Sequence, residues 1–262
     1  MTTGIDYSQS RQYSLSIRLS ADGFSFSIHR PGKPDDCLYT SYPINPSYSL
    51  TANLKEMLAR TDALHHPFLD TTILVDTPRF TTVPQPLFED EQMETVFYQN
   101  FAAVHNETVL CNELGGSQVV VVFGMDKHAH QWLTEQYPDA RFFAAVSPLI
   151  EHFAHRSAEQ KGRQLFAHLR EQQIEVLAYS DGAPQLINAF ACSQTADRLY
   201  YLLYCWQQLG MDAERDELHL AGELREKEAL IAELRKYVRQ VTMDPTSANP
   251  LPYDMKTLML YD

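Results

Sequence analysis

The chain has 262 residues, enough for one large domain or two modest ones with a full hydrophobic core, and 44% hydrophobic with 21% charged residues excludes a disordered or fibrous chain. A formal net charge of −13 repels phosphate backbones and anionic lipid, and the densest basic run, Arg225 to Arg239, is interleaved with Glu, so nucleic acid and membrane surfaces are excluded as partners. The four cysteines are widely spaced with no Cys-x-x-Cys pair, against a zinc knuckle or redox dithiol, and the polar N-terminus and lack of a membrane-length apolar run lead to an expected cytoplasmic location.

Leu15, Ile17 and Leu19 alternate with Ser16, Arg18 and Ser20, and the alternation resumes with Phe24, Phe26 and Ile28. Asp22-Gly23 between the two runs tolerates the dihedrals of a tight turn, so the segment reads as a β-hairpin. After the turn signals Pro31-Gly32-Lys33-Pro34, a third strand is expected over Leu38–Ile44. Leu50, Leu54, Met57 and Leu58 then recur at helical spacing, and Ile73, Leu74 and Val75 centre a strand. Glu89, Asp90 and Glu91 suit the positive end of a helix whose apolar stripe is Met93, Val96, Phe97 and Phe101.

A strand region ends in Val119–Phe123, whose β-branched run suggests burial on both faces. A helix carrying Trp132, Leu133 and Tyr137 follows, then a strand over Arg141–Val146 and a helix from Pro148 to about Gln160. From Leu165 the opening pattern returns: strands Leu165–Leu169, Ile174–Tyr179 and Gln185–Cys192, a helix over Ser193–Gly210, a strand Glu217–Ala221 and a helix Leu224–Val238. Matching elements lie about 145 to 150 residues apart, as in a duplicated supersecondary unit. The predicted class is α/β with two lobes, 1–160 and 161–262, each a mixed sheet opening on a three-stranded antiparallel meander and flanked by helices. The apolar end, Leu258-Met259-Leu260-Tyr261, is expected to be ordered on its own domain or a neighbour.

A meander followed by helix, strand and helix, occurring twice, resembles the actin-like (ribonuclease H-like) ATPase fold of actin, sugar kinases and pilus-assembly ATPase-like proteins. More narrowly, the whole chain resembles an uncharacterised bacterial family with this fold and no established activity. The resemblance implies two lobes around a shared cleft, a phosphate loop with Asp and Gly at the first turn of each half, and a paired-glycine adenosine motif in the second half. Such loops work because glycine lets backbone N–H groups approach phosphate while carboxylates hold Mg²⁺ or its waters. At the matching positions this chain reads Ser20-Ala21-Asp22-Gly23-Phe24, then Arg170-Glu171-Gln172-Gln173 with neither Gly nor Asp, then Leu218-His219-Leu220-Ala221-Gly222-Glu223 with a single Gly. Asp22, Gly23, Glu171 and Gly222 are therefore the candidate nucleotide-binding positions, and ATP with Mg²⁺ the candidate cofactor. Asp22-Gly23 also reads as a hairpin turn, and Gly222 as a strand-to-helix junction.

Other motifs point elsewhere only weakly. His152 and His155 share a helix face and are candidate metal ligands, without a His-Glu-x-x-His motif or an evident third ligand. P-loop, Gly-x-Gly-x-x-Gly and Gly-x-Ser-x-Gly signatures are absent. Glu113-Leu114-Gly115-Gly116-Ser117 reads as a hairpin turn, and Tyr200, Tyr201 and Tyr204 beside Trp206 as core or inter-domain packing first and a binding face second. The reading that results is a non-catalytic actin-like protein that binds another protein as an interaction or scaffolding module, with no cofactor and no catalytic residue. The competing readings are an ATP/Mg²⁺-dependent enzyme or switch of the same fold, and a metal- or small-molecule-binding protein.

Overall fold

The computed structural model describes residues 5–21, 23–245 and 251–260, with the side chains of residues 34–36 left out of the description. The first sheet begins with β1 (Ser14–Ser20), β2 (Gly23–Arg30) and β3 (Lys33–Pro43), a meander in which Leu19 faces Phe24 and Arg30 faces Lys33. The third strand thus starts at Lys33 and not at Leu38, because Pro31-Gly32, with Gly32 at φ +72°, is itself the turn. α1 (Leu50–Ala59) is capped by Ser49 Oγ, which accepts the Ala52 N–H at 3.2 Å, and buries Leu54, Met57 and Leu58. β4 (Thr71–Val75) lies parallel to β1 with Ile17 opposite Ile73.

Next comes a small sheet of β5 (Phe80–Pro84), β6 (Glu107–Leu114) and β7 (Val119–Asp126), ordered β5-β7-β6, with α2 (Met93–Asn100) between β5 and β6. The Val run is its central strand, buried from Val119 to Met125. α3 (Lys127–Gln136) and β8 (Arg141–Ala144) complete this half, β8 pairing parallel with β4. The order of the first five-stranded sheet is β3-β2-β1-β4-β8.

After α4 (Val146–Gln160), the second sheet is built from β9 (Arg163–Leu169), β10 (Gln173–Ser180) and β11 (Ala183–Ala191), then α5 (Thr195–Gln208), β12 (Glu217–Gly222), α6 (Lys227–Leu234) and β13 (Gln240–Met243). Its order, β11-β10-β9-β12-β13, repeats that of the first sheet, so the fold is a duplicated α/β one. The starts of β1 and β9 lie 149 residues apart and those of β4 and β12 146, but β8 and β13 only 99. The spacing breaks because β5, α2, β6, β7 and α3 are inserted before the fifth strand of the first sheet, where the second has only α6. The α6 helix is shorter than the expected Leu224–Val238, and β13 occupies the segment before Asp244.

The chain divides by contacts into one unit holding 1–113, 119–147 and 249–262, and another holding 114–118 and 148–248. The helix after each sheet's last strand groups with the opposite sheet. α4 follows β8, yet Phe153 stacks on Phe166 of β9 at 4.6 Å, Tyr179 Oη donates to the Ile150 carbonyl at 3.0 Å, and Ser157 Oγ donates to Gln164 Oε1 at 2.6 Å. The C-terminal helix α7 (Tyr253–Leu258) follows β13, yet Leu251, Met255, Leu258 and Met259 cluster with Leu74 of β4. α4 lies within the expected lobe 1–160 and α7 within the expected lobe 161–262.

Period-two alternation ordinarily leaves one face of a sheet to solvent. Here Ser14, Ser16, Ser25, Ser27 and His29, on the face opposite Leu15, Ile17 and Phe26, are all buried. On that same face Arg18 Nε donates to Asp254 of α7 at 2.8 Å and Arg18 Nη2 to Asp76 at 2.9 Å, while Ser25 Oγ lies 3.7 Å from Met255 Sδ. Among the described residues no helix is long and apolar enough to cross a membrane.

Candidate functional site

Ser20 pairs with Gly23 across the first hairpin; Asp22 lies outside the described residues. Gly23 is required by its neighbour, since a Cβ there would sit 2.6 Å from the Tyr42 carbonyl oxygen of β3. Close cross-strand approach therefore accounts for this glycine without a ligand.

Beside this turn, at the carboxyl ends of β1 and β4, lies a cavity of about 440 Å³ lined among others by Ser20, Tyr48, Asn53, Asp76, Thr77 and Asp126. Carboxyl ends of parallel strands are where open α/β sheets bind ligands. Its two carboxylates already have work within the fold. Asp76 accepts from Arg18, while Asp126 caps α3 by accepting the Ala129 N–H at 2.7 Å and takes the Asn106 amide at 2.7 Å. The sequence reading passed over both, although each is an Asp directly following an apolar strand core.

The second turn has the opposite polarity to a phosphate cradle. Arg198 of α5 is 2% exposed, and its Nη2 donates to the carbonyls of Arg170 at 2.9 Å and Glu171 at 2.6 Å, while Nη1 donates to the Ser193 carbonyl at 2.9 Å. The Gln172 carbonyl accepts from the Cys192 N–H at 3.0 Å, and the Arg170 N–H is committed to Gln173. The turn thus directs three carbonyl oxygens onto donors inside the protein, where phosphate binding needs N–H groups. Next to it, buried Glu175 accepts from Arg170 Nη1 at 3.2 Å and Gln173 Nε2 at 2.5 Å and lies 3.0 Å from His168 Nδ1.

Glu171 and Gly222 come together at this end of the second sheet. Gly222 is the register partner of Leu169, and the exposed Glu171 carboxylate accepts the Arg225 N–H at 3.3 Å. Gly222 has φ +92°, and a Cβ there would fall 2.5 Å from the Leu169 carbonyl oxygen and 2.8 Å from the His168 ring. Only glycine fits, for backbone reasons. In the Gly115-Gly116 turn, by contrast, a Cβ on Gly116 would meet only a side chain, the Glu151 carboxylate that accepts from Ser117 Oγ at 2.8 Å.

Of the candidate metal ligands, His155 is exposed and faces Glu159 at 3.8 Å. Burial, with Arg156 adding to it, pushes the His152 imidazole down to about 4. No group of three or more His, Cys, Asp and Glu able to hold a metal occurs among the described residues. One relay escaped the sequence reading: His219 has Nδ1 2.7 Å from Thr242 Oγ1 and Nε2 2.9 Å from Glu217, and stacks on Phe166 at 4.8 Å. His219 and Thr242 are register partners on β12 and β13, so the relay ties these strands together, and burial lowers the imidazole pKa.

A family model described as a protein of unknown function, DUF3822, matches residues 3–241. A solved protein from Bacteroides thetaiotaomicron VPI-5482, with an actin-like ATPase fold and unknown function, is 42% identical over 98% of this chain and 99% of its own, with a TM-score of 0.89. The PilM-PilN type IV pilus biogenesis complex superposes with a TM-score of 0.56 at 12% identity, covering 89% of this chain and 88% of its own, a likeness of fold alone. No curated protein matches. The fold is therefore the actin-like one expected from the duplicated meander.

Proposed function

The chain belongs to the DUF3822 family of proteins of unknown function, and within it we propose that this protein is a non-catalytic interaction or scaffolding module on an actin-like frame. The observation that carries the reading is the second turn, whose carbonyls are held by the buried Arg198 guanidinium. An anion placed there would have to displace a cation from four carbonyls and approach Glu175, a double electrostatic cost. Gly23 and Gly222, the remaining glycines of the expected nucleotide motifs, are each explained by a carbonyl oxygen within 2.6 Å of the missing Cβ. Partnership with another protein is in keeping with a fold that, in the PilM-PilN complex, belongs to a two-protein assembly. The four cysteines are free thiols, the state a reducing cytoplasm maintains, and the net charge of −13 disfavours nucleic acid and anionic membranes.

A second reading, an ATP/Mg²⁺-dependent switch, draws on the cavity with Asp76, Thr77 and Asp126 at the carboxyl ends of β1 and β4. Thermal melting with and without ATP and Mg²⁺ separates the two. A ligand at one hundred times its Kd stabilises by about 2.7 kcal/mol, roughly 5–10 °C for a chain of this size. The scaffold reading expects no shift. A rise of that size that disappears in Asp76→Asn or Asp22→Asn would overturn it.

A further inference from the structure

Each sheet of the molecule ends in two edge strands, and a free edge is a template for pairing with another chain unless it is short, charged or interrupted. Among the described strands, β8 and β13 have four residues each and β5 has five. β6 carries Glu107 and Glu113, and β3 carries Lys33 beside an irregular register with β2 at His29 and Arg30. β11 differs from all of these. It runs nine residues, Ala-Pro-Gln-Leu-Ile-Asn-Ala-Phe-Ala, with no charge, and its single proline, Pro184, sits at the second position. Gln185 forms a bulge close to that proline, leaving Leu186–Ala191 in regular register with β10. The Ala189 N–H donates to the Asn188 side chain at 2.9 Å.

The uncharged surface continues onto α5. Phe190 of β11 stacks on Tyr201 at 4.5 Å, Tyr201 meets Tyr200 edge-on at 5.4 Å, and Tyr200 stacks on Tyr204 at 5.9 Å. Tyr200 is 61% and Tyr204 46% exposed. The only charged residues of α5 are Asp197 and the buried Arg198. Aromatic residues without nearby charge are the composition of interface centres.

We propose that β11 pairs antiparallel with β11 of a second copy of this chain, joining two second-unit sheets across a two-fold axis, with Tyr200 and Tyr204 closing on the partner. Charge selects the occupant. A chain of net charge −13 repels its own copy everywhere except where its surface is neutral, whereas an edge built for an oppositely charged partner would carry charge itself. Antiparallel pairing about a two-fold axis is self-complementary in its backbone hydrogen bonds. The inference does not depend on the absence of catalysis, since an ATPase could pair the same edge.

Sedimentation equilibrium of the full chain tests it. Wild type is expected at twice the 30.0 kDa chain mass at tens of micromolar protein, the range of a modest interface. Asn188→Lys sets two like charges near the axis and is expected to weaken association at least about tenfold. Gln131→Lys, on the exposed side of α3, makes the same charge change away from the edge and should leave association as in wild type. Tyr200→Ser with Tyr204→Ser alters exposed side chains without touching the ladder and should weaken association too, with circular dichroism melting confirming that each variant is folded. A wild-type monomer at about 100 µM, or full dimerisation by folded Asn188→Lys, would overturn the proposal.

Discussion

The two five-stranded sheets share one strand order, yet they solve two problems differently: how to bury a polar second face and how to close the first turn. In the first sheet a serine-rich face is covered by α7 and neutralised at Arg18, which bridges Asp76 and Asp254. In the second, α4 covers the matching face with Phe166 stacked between Phe153 and His219, and the buried Glu175 on that face is met by His168 and Arg170. At the first turn a glycine admits the Tyr42 carbonyl; at the second an arginine reaches in from α5. A duplicated backbone therefore fixes the topology but not the chemistry of its faces.

The largest effect is expected at Arg18. Replacing it with Met leaves the Asp76 and Asp254 carboxylates, 6% and 1% exposed, without the guanidinium between them. Breaking a buried pair from one side costs about 3–5 kcal/mol. Urea unfolding should show that loss, and hydrogen exchange should show α7 opening before the second sheet does. Equal protection of both would break the contrast between a face that depends on Arg18 and a face that adds ring stacking to its ionic cluster.

Arg198→Met comes next. The carbonyls of Arg170, Glu171 and Ser193 lose their donor, and unsatisfied buried acceptors cost about 1–3 kcal/mol each before relaxation or water. A net loss of about 2–4 kcal/mol is expected. Arg198→Lys should recover only part of it, because an ammonium cannot spread a planar fork over three separated carbonyls. Complete rescue by Lys would mean that charge, not geometry, holds the turn.

Much of the architecture was legible because period-two alternation and turn residues act locally. Leu15 to Ile28 announces its hairpin, and Leu165 to Cys192 announces the copy. β13 escaped because four residues, of which only Val241 is buried, carry too little pattern. The exchange of α4 and α7 was illegible for a different reason: an apolar stripe states that a helix is buried, not which sheet buries it. At the candidate site, the lack of glycine in Arg170–Gln173 was visible. Arg198 was not, because an arginine in the first turn of a helix reads as solvated until the fold brings a chain reversal 27 residues earlier onto it. Asp76 and Asp126 were passed over for want of a motif, since their only mark is their place after a strand.

The two glycines sharpen the comparison of the turns. Gly222→Ala meets both a left-handed φ and a 2.5 Å approach to a carbonyl oxygen, whereas Gly23→Ala meets only the approach, at 2.6 Å. The expected costs are about 2–3 kcal/mol and about 1–2 kcal/mol, measured by chemical unfolding. Equal costs would show that approach alone, not backbone conformation, sets the penalty.

The smallest effect concerns acid. Burial lowers the imidazole pKa of His29 on the first sheet and of His219 and His152 in the second unit, with His152 down to about 4. Each ring is thus neutral in the folded chain at a pH where the unfolded chain, titrating near 6.5, takes up a proton. The stabilisation they give is complete above about pH 6.5 and is lost as pH falls toward the folded values. For His152 the window runs from about pH 6.5 down to about 4. Because that ring is partly exposed, its share at pH 5 is on the order of 1 kcal/mol. Melting at pH 7.5 and pH 5 should therefore fall less in His152→Gln than in wild type, with little difference between the two proteins at pH 7.5. An identical fall in both would assign the acid sensitivity to groups other than His152, with His29, His130 and His219 the other imidazoles lowered by burial.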